Sequence, residues 1–85
     1  MSGHEWLTVI SVAGAALTMA AGAIGAALGE SRIGAAAMDA LARQPDEAGS
    51  ITRTLFVSLA MVESTAIFCL VISLILLFAN PYVGR

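Results

Sequence analysis

The stretch of sequence that decides the fold is Leu55–Ala79, which reads LFVSLAMVESTAIFCLVISLILLFA. It contains 25 residues and a single formal charge, that of Glu63. A helix needs about 20 apolar residues to cross roughly 30 Å of hydrocarbon, so this stretch is long enough to span a membrane. Because backbone groups in lipid must be hydrogen-bonded internally, we expect it to form a helix.

A second apolar stretch lies nearer the N-terminus, at Trp6–Leu28, and its 23 residues carry no formal charge. It is rich in Ala and Gly, which is typical of membrane helices that pack closely. It is longer than the apolar part of a secretory signal peptide and is not preceded by basic residues, so we interpret it as a second spanning helix.

The composition of the chain excludes several classes of protein. Hydrophobic residues make up 59% of the 85 residues and charged residues only 12%, which argues against a soluble monomer. A net charge of −2 excludes a conventional nucleic-acid binder, and the single Cys69 excludes a disulfide scaffold. The sequence has no Lys and no glycine-rich phosphate loop, so we expect no nucleotide site, no cofactor and no catalysis by the chain itself.

The charges gather between the two apolar stretches, in the segment 29–54, which holds seven of the ten formally charged residues. Within it, Pro45 prevents a helix from continuing, and Ser50 is suited to cap the start of the next helix. Asn80 and Pro81 then end the second helix. We therefore predict an all-α membrane protein with one hairpin over residues 1–85, in which helix 1 covers about 6–43, a polar loop about 44–49 and helix 2 about 50–79.

The orientation of the hairpin follows from its arginines, three of which lie in the connector. Because cytoplasmic loops of membrane proteins carry the excess of Arg and Lys, we expect a cytoplasmic connector and both termini outside. Trp6 and Tyr82, at the outer ends of the two spans, are interpreted as anchors at the membrane–water interface.

Two carboxylates are expected at the same depth of the hairpin. Glu63 lies inside the second span, where an ionisable side chain is costly and is typical of an ion path. Glu30 is almost as far from the turn at Pro45 as Glu63 is, so an antiparallel hairpin brings the two to one level. The alternatives are a protonated Glu63 that only bonds a neighbouring helix, and a solvated Glu30. Arg32 could bind lipid headgroups, or pair with Asp39 or Glu30.

Two neighbouring carboxylates in lipid cannot both be ionised unless a cation joins them. Such a pair can hold one or two protons, or a small hard cation that prefers oxygen ligands. Ser64 and Thr65 follow Glu63 directly and could add hydroxyl ligands. Hydroxyls in membrane helices often bond a carbonyl one turn back instead, and this alternative stays open.

Small residues alternate along the first helix, where every second residue from Ala21 to Gly29 is Ala or Gly. Two residues turn a helix by about 200°, so these small side chains alternate between nearly opposite faces. Neighbouring helices can therefore approach closely from both sides, which suits a closed ring better than a simple dimer.

Four features together resemble the c subunit of rotary ATP synthases: the Ala/Gly helix, Ala-Arg-Gln-Pro in the loop, Val-Glu-Ser-Thr in helix 2, and the ending LLFANPYVG. The resemblance implies a rotor ring of identical subunits in the lipid of a bacterial inner (plasma) membrane, with helix 1 inside and helix 2 outside. It also implies that Glu63 exchanges its ion with the a subunit of the ATP synthase. The loop residues Arg43, Gln44 and Pro45 match the segment that contacts the central stalk.

The sodium-binding members of that family have an ion site between neighbouring subunits, and its positions correspond here to Glu30, Met61, Glu63, Ser64, Thr65 and Phe68. Two positions depart from the pattern, since Glu30 replaces a Gln and Phe68 replaces a Tyr. The first change resembles the N-type ATPases. Both changes favour protons as the coupling ion, with no metal bound. Sodium, held by the same residues, is the alternative.

The resemblance also implies a ring on the large side, because Ala21, Ala23 and Ala27 stand where the family has glycines. Two rival functions come from other classes. A structural or pore-forming hairpin would explain the spans but not two carboxylates at matched depth. A secondary transporter built from hairpin dimers would leave the loop sequence without a purpose.

Overall fold

The protein is a hairpin of two long antiparallel helices. The computed structural model describes residues 2–81, in which α1 runs over Gly3–Arg43 and α2 over Ala48–Phe78. Gln44 and a 3₁₀ turn at Pro45–Glu47 connect them. The hairpin is a narrow rod with extents of 64 × 17 × 9 Å. The predicted all-α hairpin is confirmed.

Both ends of α1 have a local physical cause. The Ser2 side chain caps the start by accepting a hydrogen bond from the Glu5 backbone N–H at 3.2 Å. At the other end, the Gln44 N–H still donates to the Ala40 carbonyl at 2.8 Å. Pro45 follows and prevents another helical turn, so α1 continues without interruption from Gly3 to the tip of the hairpin.

The second helix begins two residues earlier than the sequence predicts. Ser50 was expected as its N-cap, but this is wrong, because Ser50 lies inside α2, which starts at Ala48. The 3₁₀ turn explains the difference. Pro45 has a backbone angle that is already helical, and the Glu47 N–H donates to the Gln44 carbonyl at 3.0 Å. The chain therefore enters α2 directly from the turn, without a side-chain cap.

Close contacts between the helices show that the hairpin is nearly symmetric about Pro45. A Cβ atom built on Gly22 would lie 2.7 Å from the Cβ and Sγ atoms of Cys69. A Cβ atom on Gly29 would lie 3.6 Å from Val62. The two members of each pair are almost equally distant from Pro45 along the chain. Glycine thus permits the close approach of the two backbones at Cys69.

Hydrogen bonds join α1 to α2 and to Asn80, which follows α2, at the end opposite the turn. Ser73 Oγ donates to the Ala15 carbonyl at 2.9 Å, and Asn80 Nδ2 donates to Ser11 Oγ at 2.8 Å. The three polar side chains are buried between the helices. Interhelical hydrogen bonds in membranes are worth about 0.6 kcal/mol each on average. These bonds therefore fix the register of the helices more than they stabilise them.

The surface of the hairpin is apolar. Both helices are long and apolar enough to cross a membrane, with mean hydropathies of 1.9 and 2.4 in their most apolar windows. Phe68 and Phe78 are 70% and 76% exposed, and lipid or neighbouring protein must cover such a surface. Trp6 is also exposed. The other predicted interface anchor, Tyr82, lies outside the described residues.

Candidate functional site

Glu30 and Glu63 lie on the same flank of the hairpin. Gly29 and Val62 approach each other across the helix interface, and the next residue along each helix is one of the two carboxylates. One residue turns each antiparallel helix by about 100° toward the same side. The two carboxyl groups therefore lie next to each other on that side of the hairpin. The structure therefore brings together the two acidic residues that the sequence singles out.

The two carboxylates differ in exposure. Glu63 is exposed on the outside of α2, whereas Glu30 is half-buried. Its Oε1 atom is buried and has no hydrogen-bond partner among residues 2–81. Because an ionised carboxylate only accepts hydrogen bonds, a proton on either group would supply the missing donor. The arrangement can thus hold a proton between the two side chains.

Ser64, Thr65 and Met61 are exposed on α2 and do not join the carboxylate pair within one hairpin. Ser64 Oγ donates to the Ala60 carbonyl at 2.9 Å, which is the bond to the preceding turn that the sequence leaves open. Met61 precedes Glu63 by two residues and Thr65 follows it by two, so each lies about 200° from it around α2. Either could approach a carboxylate only from a neighbouring copy.

The predicted stalk-contacting residues Arg43, Gln44 and Pro45 are exposed at the tip of the hairpin. Arg43 Nε lies 3.3 Å from Asp39 Oδ2, one helical turn earlier. Exposed pairs of this kind contribute little to stability, so the contact mainly orients the Arg43 side chain. The tip therefore presents an arginine, an amide and a proline to whatever lies beyond it.

Sequence reasoning did not identify the polar contacts at the open end, or Gly22 as a point of close approach. The spacing of small residues along α1 was the signal that could have identified them. Ala15, Gly22 and Gly29 are seven residues apart and therefore return to one face of α1. That face is the one turned toward α2.

Comparison with known proteins connects this hairpin with a family. The sequence pattern of the family described as the C subunit of ATP synthase matches residues 13–76, which include both carboxylates and the whole turn. The chain belongs to this ATP synthase c-subunit family.

Several members of the c-subunit family are similar to the chain over most of their length. ATP synthase c subunit 2 of Cereibacter sphaeroides is 58% identical over 80 residues, which cover 94% of this chain and 96% of that protein. The ATP synthase c subunit of Petrotoga mobilis is 50% identical over 68 residues, or 80% and 71% of the two chains. The chloroplastic c subunit of Porphyra purpurea is 46% identical over 78 residues, or 92% and 95%.

Membership of the c-subunit family assigns the chain to the rotor ring of ATP synthase. The c subunit is an integral membrane protein that translocates ions and is not a catalytic subunit, in agreement with the two apolar helices. The family therefore decides against both rival functions, the structural or pore-forming hairpin and the secondary transporter.

Proposed function

We propose that the chain is the rotor-ring c subunit of a bacterial rotary ATP synthase or ATPase and carries protons on the Glu30–Glu63 pair. The observation that carries this proposal is the placement of two carboxylates on the same side of an otherwise apolar hairpin. Ionisable groups are costly inside a membrane and are typical of ion pathways. A pair that shares its proton lowers that cost while the site faces lipid.

In this mechanism Glu63 exchanges the proton with the a subunit of the ATP synthase. Glu63 is exposed on α2, so a protein outside the ring can reach it. Glu30 is half-buried beside it and forms the second side of the proton site. Loss of the proton is favourable only where a polar channel replaces lipid, because an ionised carboxylate is costly in hydrocarbon. Proton exchange is thereby tied to the position of the ring, which couples transport to rotation.

Identical copies arranged in a ring would complete the site. Met61 and Thr65 lie on the side of α2 opposite Glu63, where they would face the carboxylate of the adjacent copy. The Met61 carbonyl can accept a hydrogen bond at that site, and the Thr65 hydroxyl can accept or donate one. The Ser64 hydroxyl donates to the Ala60 carbonyl, so it could take part in the site only through its oxygen lone pairs.

Protons are the coupling ion that these residues favour. A sodium ion would need Glu63 ionised and several neutral oxygen ligands around it. Here the partner is a second acid, and Phe68 has no hydroxyl to offer. Glu30 in place of a Gln is the feature that assigns the chain to the N-type branch in this proposal.

Carbodiimide labelling tests the proton proposal, because the reagent modifies only protonated carboxyl groups. We expect labelling of Glu63 in the assembled ring, a decrease of labelling as the pH rises, and no protection by millimolar sodium at neutral pH. Mass spectrometry of the intact protein measures the modified fraction.

The Glu63→Gln variant is the control, and it should lose the modification. Strong protection of Glu63 by sodium would replace the proton by sodium as the coupling ion. It would leave the rotor function in place.

The remaining proposed contacts are made by the residues at the tip of the hairpin. Arg43, Gln44 and Pro45 would bind the central stalk in the cytoplasm, with both termini on the outer side of the bacterial inner membrane. The part of this protein in catalysis would be torque, delivered to a separate catalytic head.

A further inference from the structure

Arg32 is a charged residue near the depth of the carboxylate pair, and the proposed transport mechanism does not use it. It is exposed on α1 and makes no ion pair within residues 2–81. Of the partners that the sequence leaves open, Asp39 is held by Arg43 at 3.3 Å. Glu30 lies two residues away, about 200° around the same helix, and so faces the other side. Among residues 2–81, Arg32 therefore lacks a carboxylate partner.

The face of α1 that is turned toward α2 separates the two charges. Gly29 lies on that face. Glu30 follows it by one residue, a rotation of about 100°, whereas Arg32 follows it by three, which equals about 60° in the opposite sense. One side of α1 thus carries the acid and the other side the base. We call them the carboxylate flank and the arginine flank.

Small residues occur on both flanks and allow another helix to approach, although the exposed Leu28 lies one turn before Arg32 on the arginine flank. Ala23 precedes Glu30 by seven residues on the carboxylate flank, and Gly25 precedes Arg32 by seven on the arginine flank. Ala23 and Gly25 are exposed, and a Cβ atom built on Gly25 would meet nothing within 4 Å. Each flank of α1 is therefore open, narrow and marked by one charge of opposite sign.

Copies that pack head to tail bring the carboxylate flank of one hairpin against the arginine flank of the next. The two charges then differ in height by two residues, or about 3 Å along the helix. Small side chains permit interaxial distances of about 8 Å, which the long Arg side chain can span. A guanidinium or a carboxylate without a partner has a high desolvation cost in this apolar setting. Pairing the two groups lowers that cost for both.

We propose that Arg32 of one copy pairs with Glu30 of the adjacent copy, so that every interface in the ring holds one such ion pair. The inference rests on the proposed ring, and it gives Arg32 a role that formation of a ring does not by itself imply. The pair places a fixed positive charge beside each carboxylate site. Because that charge is neutralised by Glu30, Glu63 is left as the group that exchanges the proton.

Charge exchange tests the pair in the assembled ring. Arg32→Glu and Glu30→Arg each place like charges across the interface and should lower the temperature at which the detergent-solubilised ring dissociates. The double variant Glu30→Arg/Arg32→Glu restores an attractive pair and should return that temperature to the wild-type value. Arg53→Glu is the matched control, because Arg53 is an exposed arginine of α2, and it should leave the temperature unchanged.

A double variant that is no more stable than the weaker single variant overturns the proposal. If a single variant fails to assemble, a Glu30→Cys/Arg32→Cys variant in a Cys69→Ala background provides the second test. A short bifunctional thiol reagent should join it into ladders of dimers and higher multimers, and modification without ladders counts against the pair. A wild-type chain that forms no ring would instead refute the proposed function.

Discussion

Glu30 and Glu63 carry the same chemical group in two environments. Glu63 is exposed on α2, while the Glu30 Oε1 atom is buried with no donor among residues 2–81. A buried acceptor without a donor is costly, and a proton on the partner carboxyl supplies the donor. The two positions should therefore respond differently to the loss of one charge.

Glu63→Gln should abolish proton transport driven by ATP while leaving the ring assembled, because the amide keeps the size of the side chain but cannot exchange a proton. Glu30→Gln should reduce transport without abolishing it, since its amide group can still donate a hydrogen bond to Glu63. Acidification of inverted membrane vesicles measures both. Full pumping by the Glu63 variant would contradict the assignment of the exchanging group.

The depth of the two carboxylates along the hairpin could be predicted from the sequence. The side of the hairpin on which they lie could not. Similar distances of Glu30 and Glu63 from Pro45 are enough to place them at similar depth in any symmetric hairpin. Whether they meet depends on which face of α1 turns toward α2. That choice is made by the packing of Gly22 and Gly29 against Cys69 and Val62.

At the scale of the helices, Gly22 marks a place where α1 and α2 approach closely. An added Cβ atom there would overlap both the Cβ and the Sγ of Cys69 at 2.7 Å. By contrast, a Cβ atom on Gly14 would meet Leu76 Cδ1 at 3.6 Å, an ordinary contact. Two glycines on the same helix thus offer a matched comparison.

Gly22→Ala should destabilise the hairpin by about 1–3 kcal/mol, because the helices must separate to admit the methyl group. Cys69→Gly in the same chain should recover part of the loss, whereas Cys69→Ala should not, since it keeps the Cβ atom that clashes. Unfolding in mixed micelles with increasing dodecyl sulfate measures the effect. Gly14→Ala is the control, and an equal loss there would show that the contact at Cys69 is not the cause.

The existence of both helices follows from the length of the apolar stretches, and the position of the turn follows from Pro45. The start of α2 could not be predicted as well. A cap residue is expected where a helix begins from an extended chain, but here the 3₁₀ turn is already helical when it reaches Ala48. Ser50 therefore does not cap α2.

The whole molecule is a thin rod whose apolar side chains point outward along most of its length. It has too little interior to hide its own surface, so its packing is completed by lipid and by other copies. In the proposed ring, the small residues of α1 set the spacing between the inner helices.

Alanines on the flanks of α1 should make the ring a large one for its family. Each methyl group at Ala21, Ala23 and Ala27 holds neighbouring inner helices slightly further apart than glycine would, which lowers the curvature and admits more copies. Replacing all three by Gly should give rings with fewer copies. The mass of the intact ring measures the copy number, and a variant ring as large as the wild type would contradict this account of spacing.

The hydrogen bonds at the open end have a mechanical consequence. The covalent turn pins the two helices together at one end, and the Ser73–Ala15 and Asn80–Ser11 bonds pin them at the other. Because the two helices are linked at both ends, sliding of one helix along the other is opposed, and the hairpin is stiff. In a rotor, a force applied to the middle of the hairpin is therefore transmitted to its tip with little elastic deformation.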